Sequence, residues 1–326
     1  MKLFVSHKTA LAYWREHFPL DSELGAPARA SATEQCASLK SDVLALMPES
    51  WILPDGTVDV LVFDAAARRQ SKRIRCRLWS GNIPAGAFFK DGDVCVSSPE
   101  FTFLQMASQL SMAKLIALGC ELCGIYVLLP KNRRHPGAID DHPKRIAPLT
   151  NIEKLSAFLA QATGANGILK AQRALRYIAE GSKSPMETMT YLLLCLPPKL
   201  GGYGLPRAVL NPEIPLDDEA ATIARRRRAE GDICWPDKHL DIEYHGEIHV
   251  GALKMQDDVG RILGIEKMGW RVITITSPQV FDPIRFETVA KEAAAHLKWR
   301  LYPQVLGDTA ARRELRDELE SWMFAE

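Results

Sequence analysis

The chain of 326 residues is 47% hydrophobic and 25% charged, with a formal net charge of +1. This composition excludes a disordered or low-complexity chain. The near-neutral balance excludes nucleic-acid binding through a global basic field, so any such binding must come from local patches.

The longest apolar runs, such as Tyr191 to Leu196, fall far short of the ~20 residues that span a bilayer. The opening Met1-Lys2-Leu3-Phe4-Val5-Ser6-His7 lacks the apolar core of a signal peptide. Seven cysteines, an odd and scattered set, fit reduced thiols. A cytoplasmic protein is expected. Cys120-Glu121-Leu122-Cys123 has the spacing of half a zinc site but no second half nearby, and two buried thiols near a helix end is the plainer reading.

The length suits two domains. Residues 1–130 read as an α/β region. Leu11, Trp14 and Phe18 give a helix from Thr9 to Phe18 one apolar face. Val58 to Phe63 and Ile74 to Trp79 read as the strands of a hairpin around the loop 64–73, and Val94 to Ser97 as a short strand. A long helix should come next and run to about Leu118, opened by a capping box over Ser97 to Glu100 with Pro99 in its first turn.

Residues 131–183 read as a linker and helical connector, with helices near 152–162 and 165–179. From 184 to 326 helices and strands interleave: a helix over 185–196, a short strand at 208–210, a hairpin, a helix over 254–268, a strand over 270–275, and helices over 286–301 and 310–323. The fold class is therefore α/β or α+β, with a mixed sheet.

The hairpin carries the chemistry. In Gly231-Asp232-Ile233-Cys234-Trp235-Pro236-Asp237-Lys238-His239-Leu240-Asp241-Ile242-Glu243-Tyr244-His245-Gly246, Pro236-Asp237-Lys238 is turn chemistry between two apolar-alternating runs. A turn centred between Asp237 and Lys238 sets Asp232 opposite Glu243, side chains roughly 5 Å apart. His245, two residues on, shares their face. Two carboxylates and an imidazole on one face suit a divalent metal held against a phosphodiester. Acids on the solvent face of an ordinary hairpin are the alternative.

Ser184-Pro185-Met186-Glu187 is a capping box that by itself explains Glu187, with about 0.5–2 kcal/mol at stake. His249, four residues after His245, could orient a water or neutralise a phosphate. Lys254 and Gln256 open the next helix, from which Lys254 could stabilise charge on phosphate. Two basic clusters are candidates for DNA-backbone contact: Arg225, Arg226, Arg227 and Arg228 before the hairpin, and Arg68, Arg69 and Lys72 with Arg73, Arg75 and Arg77, where no acid intervenes. Either cluster could equally be a solvated surface.

The ordered set Ser184-Pro185-Met186-Glu187-Thr188, Gly204-Leu205-Pro206, Gly231-Asp232 with Trp235-Pro236, Ile242-Glu243-Tyr244-His245-Gly246, His249, Asp258, Arg261 and Gly269-Trp270-Arg271-Val272 resembles the very-short-patch-repair-like endonuclease family of the PD-(D/E)xK superfamily. The resemblance covers about 184–276. It implies a restriction-endonuclease-like mixed sheet flanked by helices, and Mg²⁺- or Mn²⁺-dependent hydrolysis of DNA. Asp232 and Glu243 would then be the metal-binding acids, Glu187 a third metal-shell acid, His245 a base or water-orienter and His249 a second imidazole. One position departs from the pattern: His245 stands where a Lys is expected.

Val5-Ser6-His7-Lys8-Thr9-Ala10-Leu11 and Val96-Ser97-Ser98-Pro99-Glu100 more loosely resemble AbiEi-type antitoxin and regulator proteins of toxin–antitoxin systems. Beside the endonuclease, this leaves a second expectation, a non-catalytic DNA-binding regulator that keeps a degenerate nuclease fold.

Overall fold

The computed structural model describes residues 3–17, 44, 47–68, 72–129, 142–246, 252–303 and 306–324, with the side chains of 252–256 outside the description. The chain divides into two compact units: Met1–Val127 with Lys144–Ile178, and Leu128–Pro143 with Ala179–Glu326. Residues 144–178, read from sequence as connector, belong to the first unit. Among the described residues no helix is long and apolar enough to cross a membrane.

In the first unit, β1 (Leu3–Val5), β2 (Val58–Val62), β3 (Ile74–Leu78), β4 (Phe88–Asp91) and β5 (Val94–Ser97) form one sheet in the order β3-β2-β1-β5-β4. Every residue of β1, β2 and β5 is buried, which explains their apolar character; the polar exceptions, Asp59 and Ser97, are buried too. Helix α1 (His7–Glu16) sets Tyr13 and Trp14 into a core with Trp51, Val60 and Val96.

Two expectations are corrected here. β2 and β3 run parallel, Val58 beside Ile74, so they are not a hairpin, a choice no local pattern dictates. The long helix is two, α2 (Pro99–Ala107) and α3 (Met112–Leu122), each with its own serine cap. Ser98, not Ser97, caps α2, accepting from the Phe101 amide at 3.1 Å, while Ser97 donates to the Val5 carbonyl. Cys120 and Cys123 are buried at the end of α3. Helices α4 (Ile152–Gln161) and α5 (Ile168–Leu175) complete the unit.

The basic cluster of this unit is also smaller than its sequence suggests. Arg75 is ion-paired with Asp55, and Arg77 with the buried Asp59. Arg68 and Lys72 are exposed, and Arg69 lies outside the described residues.

The second unit begins with α6 (Pro185–Cys195). Its sheet holds β6 (Val209–Leu210), β9 (Ile233–Trp235), β10 (Leu240–His245) and β11 (Arg271–Thr276) in the order β11-β10-β9-β6. Between β6 and β9 come β7 (Glu213–Pro215), α7 (Asp218–Ala224) and β8 (Arg228–Glu230), with β7 and β8 forming a separate two-stranded sheet. β10 and β11 are parallel and joined through α8 (Ala252–Lys267), while β9 is antiparallel to β10 and to β6. The sheet is mixed, in a mixed α/β chain.

One face of this sheet carries Cys234 and Val272 into a core with Ile214, Ala229 and Ile265, the last from α8. After β11 come α9 (Ser277–Phe281), α10 (Pro283–His296) and α11 (Ala310–Met323). The apolar stripe of α11, Leu315, Leu319 and Trp322, is buried in its own unit. Its Arg312 guanidinium lies 3.7 Å from the centre of the Tyr203 ring, an aromatic contact that helps a nearly buried cation.

Candidate functional site: a carboxylate cluster on the hairpin

The hairpin turn is a short 3-10 segment, Pro236–Lys238, closed by His239 at φ +49°. It fixes the register: Trp235 opposite Leu240, Cys234 opposite Asp241, Ile233 opposite Ile242. One step further the same register brings Asp232 to Glu243.

Asp232 accepts a hydrogen bond from the Tyr244 amide at 2.7 Å. Glu243, 1% exposed, is gripped in bidentate fashion by Arg261 of α8, at 2.5 and 2.7 Å. The same guanidinium donates to the Glu230 carbonyl at 2.7 Å. Burial alone would lower the proton affinity of Arg261, but the hydrogen bond and charge of Glu243 raise it above the ordinary value, so it is a permanent cation here.

Asp241, which sequence reading missed, completes the acidic face. It is two residues before Glu243 and so on the same side of β10. It is 0% exposed. Cys234 Sγ donates to its Oδ1 at 3.1 Å, while its Oδ2 is buried with no hydrogen-bond partner among the described residues. Strand alternation was the signal that could have found it.

Gly231 is required by this packing, not by its backbone angle. A Cβ there would sit 2.5 Å from Cys234 Sγ and 2.6 Å from Asp241 Oδ2. Gly231→Ala should therefore destabilise the unit by about 1–3 kcal/mol, the usual cost of overpacking. Thermal unfolding measures it, and an unchanged melting temperature would show that the cluster yields freely.

Glu187 is held from two sides. The Ser184 hydroxyl accepts from the Glu187 amide at 3.1 Å, as in a helix cap. The Glu187 carboxylate in turn accepts from the Lys183 amide at 2.8 Å and from Asn211 Nδ2 at 2.6 Å. Asn211 adopts φ +50°, a conformation Asn tolerates better than most residues, and its own amide bonds the Asp232 carbonyl at 2.9 Å. Asn211 thus connects Glu187 to the strand that carries Asp232. It too escaped the sequence reading.

The electrostatics result from this crowding. The Asp232 carboxyl is pushed well above the ordinary carboxylate range, first by burial, then by the charges of Glu243 and Glu187; the Tyr244 amide and Arg261 offset this only in part. Asp241 is raised likewise, by burial and then by Glu243 and Asp232. One guanidinium faces more negative charge than it can balance.

The remaining candidates lie around this cluster or outside the described residues. His245 continues the face of Asp241 and Glu243, and its Nε2 is buried without a hydrogen-bond partner among the described residues. His249 lies outside the described residues, and Lys254 is in α8 with its side chain outside them. Arg225, Arg226, Arg227 and Arg228 are all exposed. Arg227 approaches Asp218 at 3.9 Å and Arg228 bonds Glu213 at 2.6 Å, surface pairs that open easily to a competing phosphate.

Among the described residues no group of three or more His, Cys, Asp or Glu is placed to hold a metal ion. The carboxylates meet through their charges, and Glu243 is committed to Arg261. Comparison of the chain with protein-family models, with curated proteins and with solved structures gives no match.

Proposed function

We propose that the second unit is a PD-(D/E)xK-like, divalent-cation-dependent DNA endonuclease. The observation that carries this reading is the convergence of carboxyl groups at one end of β9 and β10, with Asp232 raised by burial and then by Glu243 and Glu187, and with Asp241 Oδ2 buried and without a hydrogen-bond partner among the described residues. Carboxylate oxygens are the donors that Mg²⁺ or Mn²⁺ prefers, so the donor type and the charge fit such an ion. Asp232, Glu243 and Glu187 would hold it, with Glu243 exchanging its contact with Arg261. When bound, the cation would lower the pKa of a water and stabilise negative charge on phosphate.

The protein's own groups divide the remaining work. His245, two residues after Glu243 on β10, would serve as base toward an attacking water or orient it. The exposed Arg225 to Arg228 run supplies phosphate contacts that position a DNA backbone. His249 and Lys254 would add positive charge from the chain beyond β10.

A second reading is a DNA-binding regulator that keeps this fold without its chemistry. Two observations favour it: both oxygens of Glu243 are held by Arg261, and Glu187 is bonded to the Lys183 amide and Asn211.

Incubation of supercoiled plasmid and mismatched duplex with Mg²⁺ or Mn²⁺ separates the two. The endonuclease reading expects metal-dependent nicking by the wild type and its abolition in Asp232→Ala. DNA binding without cleavage under any metal, equal in both proteins, would favour the regulator and end the catalytic proposal.

A further inference from the structure

We infer that the turn after α10 is a binding platform for single-stranded nucleic acid, built from Trp299 and Tyr302 with Lys298 and Arg300. It lies at the opposite end of the hairpin from the carboxylates and does not depend on the metal reading.

The platform starts from a helix end. The Lys298 amide bonds the Ala295 carbonyl at 3.2 Å and the Trp299 amide bonds the Ala294 carbonyl at 2.8 Å, the paired bonds of a Schellman cap. The residue turning the chain has φ +52°, a place normally given to Gly, yet here it is Lys298. A glycine would cap with less backbone strain.

Beyond the cap the chain is exposed and aromatic. Trp299 is 48% exposed and Tyr302 50% exposed. The Trp299 indole is fixed by its bond to the Gly204 carbonyl at 2.9 Å, and the Arg300 guanidinium lies 5.0 Å from the Tyr302 ring centre. Among the described residues neither Lys298 nor Arg300 is ion-paired. Nearby, Arg271 is matched by Glu292 and Lys238 by Asp237.

His296 Nε2 lies 2.9 Å from the Lys238 carbonyl, which ties the end of α10 to the hairpin turn. Glu243 is three residues beyond Leu240 on that strand, roughly 10 Å away by strand rise.

Two half-exposed aromatic rings and two cations without an ion-pair partner among the described residues suit a strand whose bases are unstacked and whose phosphates are accessible. Every base has a face to stack, and stacking is tolerant of sequence. Arginine beside an aromatic ring adds cation–π attraction. A duplex hides its base faces and offers the rings nothing.

The test is fluorescence anisotropy of a labelled oligothymidylate with the full chain in EDTA, where no cleavage can occur. Wild type should bind, and Trp299→Ala and Tyr302→Ala should each weaken binding about tenfold. Trp299→Phe, which keeps a ring but loses the indole hydrogen bond, should retain most affinity. Lys298→Gly is the decisive variant: it should raise the melting temperature yet weaken binding and lower the salt slope by about 0.7.

Absence of oligothymidylate binding by the wild type would overturn the inference. So would unchanged affinity in the Trp299/Tyr302 double variant, or an equal dependence on these residues for duplex DNA or for an acidic polypeptide. None of these results bears on metal-dependent cleavage, which is read separately.

Discussion

Arg261→Met should destabilise the second unit by about 3–5 kcal/mol at neutral pH, the cost of leaving one member of a buried ion pair uncompensated. The pair is well inside the fold: the Glu243 side chain is 1% exposed and that of Arg261 14%. Methionine keeps the length and apolar stem of arginine, so the loss reports charge and hydrogen bonding more than packing.

Three bonds disappear together, two to Glu243 and one to the Glu230 carbonyl, so β8 and β10 both loosen from α8. The double variant Arg261→Met/Glu243→Gln should recover much of the loss, since replacing both partners removes the stranded charge. Urea unfolding followed by tryptophan fluorescence measures all three proteins. A single-variant loss below about 1 kcal/mol would mean that water already screens Glu243.

The same variant probes the metal reading without any cleavage assay. With the guanidinium gone, Glu243 joins Asp232 and Asp241 as a buried carboxyl group without a balancing cation. Millimolar Mg²⁺ should then restore stability to Arg261→Met more than it helps the wild type, because a ligand that binds only the folded state adds stability with its concentration. Equal, negligible effects of Mg²⁺ on both proteins would remove the cation from the proposal.

How far the sequence disclosed this arrangement depends on how local each cause is. The hairpin was legible because Pro236-Asp237-Lys238 sets the turn, and the turn alone sets which residues oppose each other. Asp241 was legible in principle, since a strand repeats every two residues, but attention to the pair at 232 and 243 passed over it.

Arg261 is different. Its place over Glu243 depends on how α8 lies across the sheet, and no spacing within the helix states that. The parallel pairing of β2 with β3 is hidden for the same reason: two apolar strands and a polar loop look alike whether the chain turns back or crosses over. The break between α2 and α3 sits between. Ser108-Gln109-Leu110-Ser111 interrupts the apolar run, and Ser98 and Ser111 each mark a helix start and could have been read as two caps. The basic cluster at 68–77 misled because Asp55 and Asp59, the partners of Arg75 and Arg77 on β3, lie outside it in sequence.

Stability of the second unit should fall as pH rises above the ordinary carboxylate value of 3.8, opposite to the usual behaviour of acids in ion pairs. Asp232 and Asp241 both hold their protons more tightly folded than unfolded. Their contribution is fully present below 3.8, where both states are protonated, and is lost as pH climbs through the raised folded values. Each unit of that rise is worth about 1.4 kcal/mol.

Asp241→Asn should flatten this slope and stabilise the unit near neutrality. The new amide keeps an oxygen for Cys234 Sγ to donate to and removes a charge that repels Glu243 and Asp232. Urea midpoints taken across the range from pH 4 to pH 8, about four units, would test it. A variant as pH-dependent as the wild type, or less stable at neutral pH, would show that Asp241 is already ionised and satisfied. A bound divalent cation reverses the sign, because it favours the ionised carboxylates and binds more strongly as protons leave. Stabilisation by Mg²⁺ should therefore grow with pH in the wild type and less so in Asp241→Asn. A cluster that only repels its own charges would show the pH slope without that response to metal, and this separates a buried structural acid cluster from a site made to receive a cation.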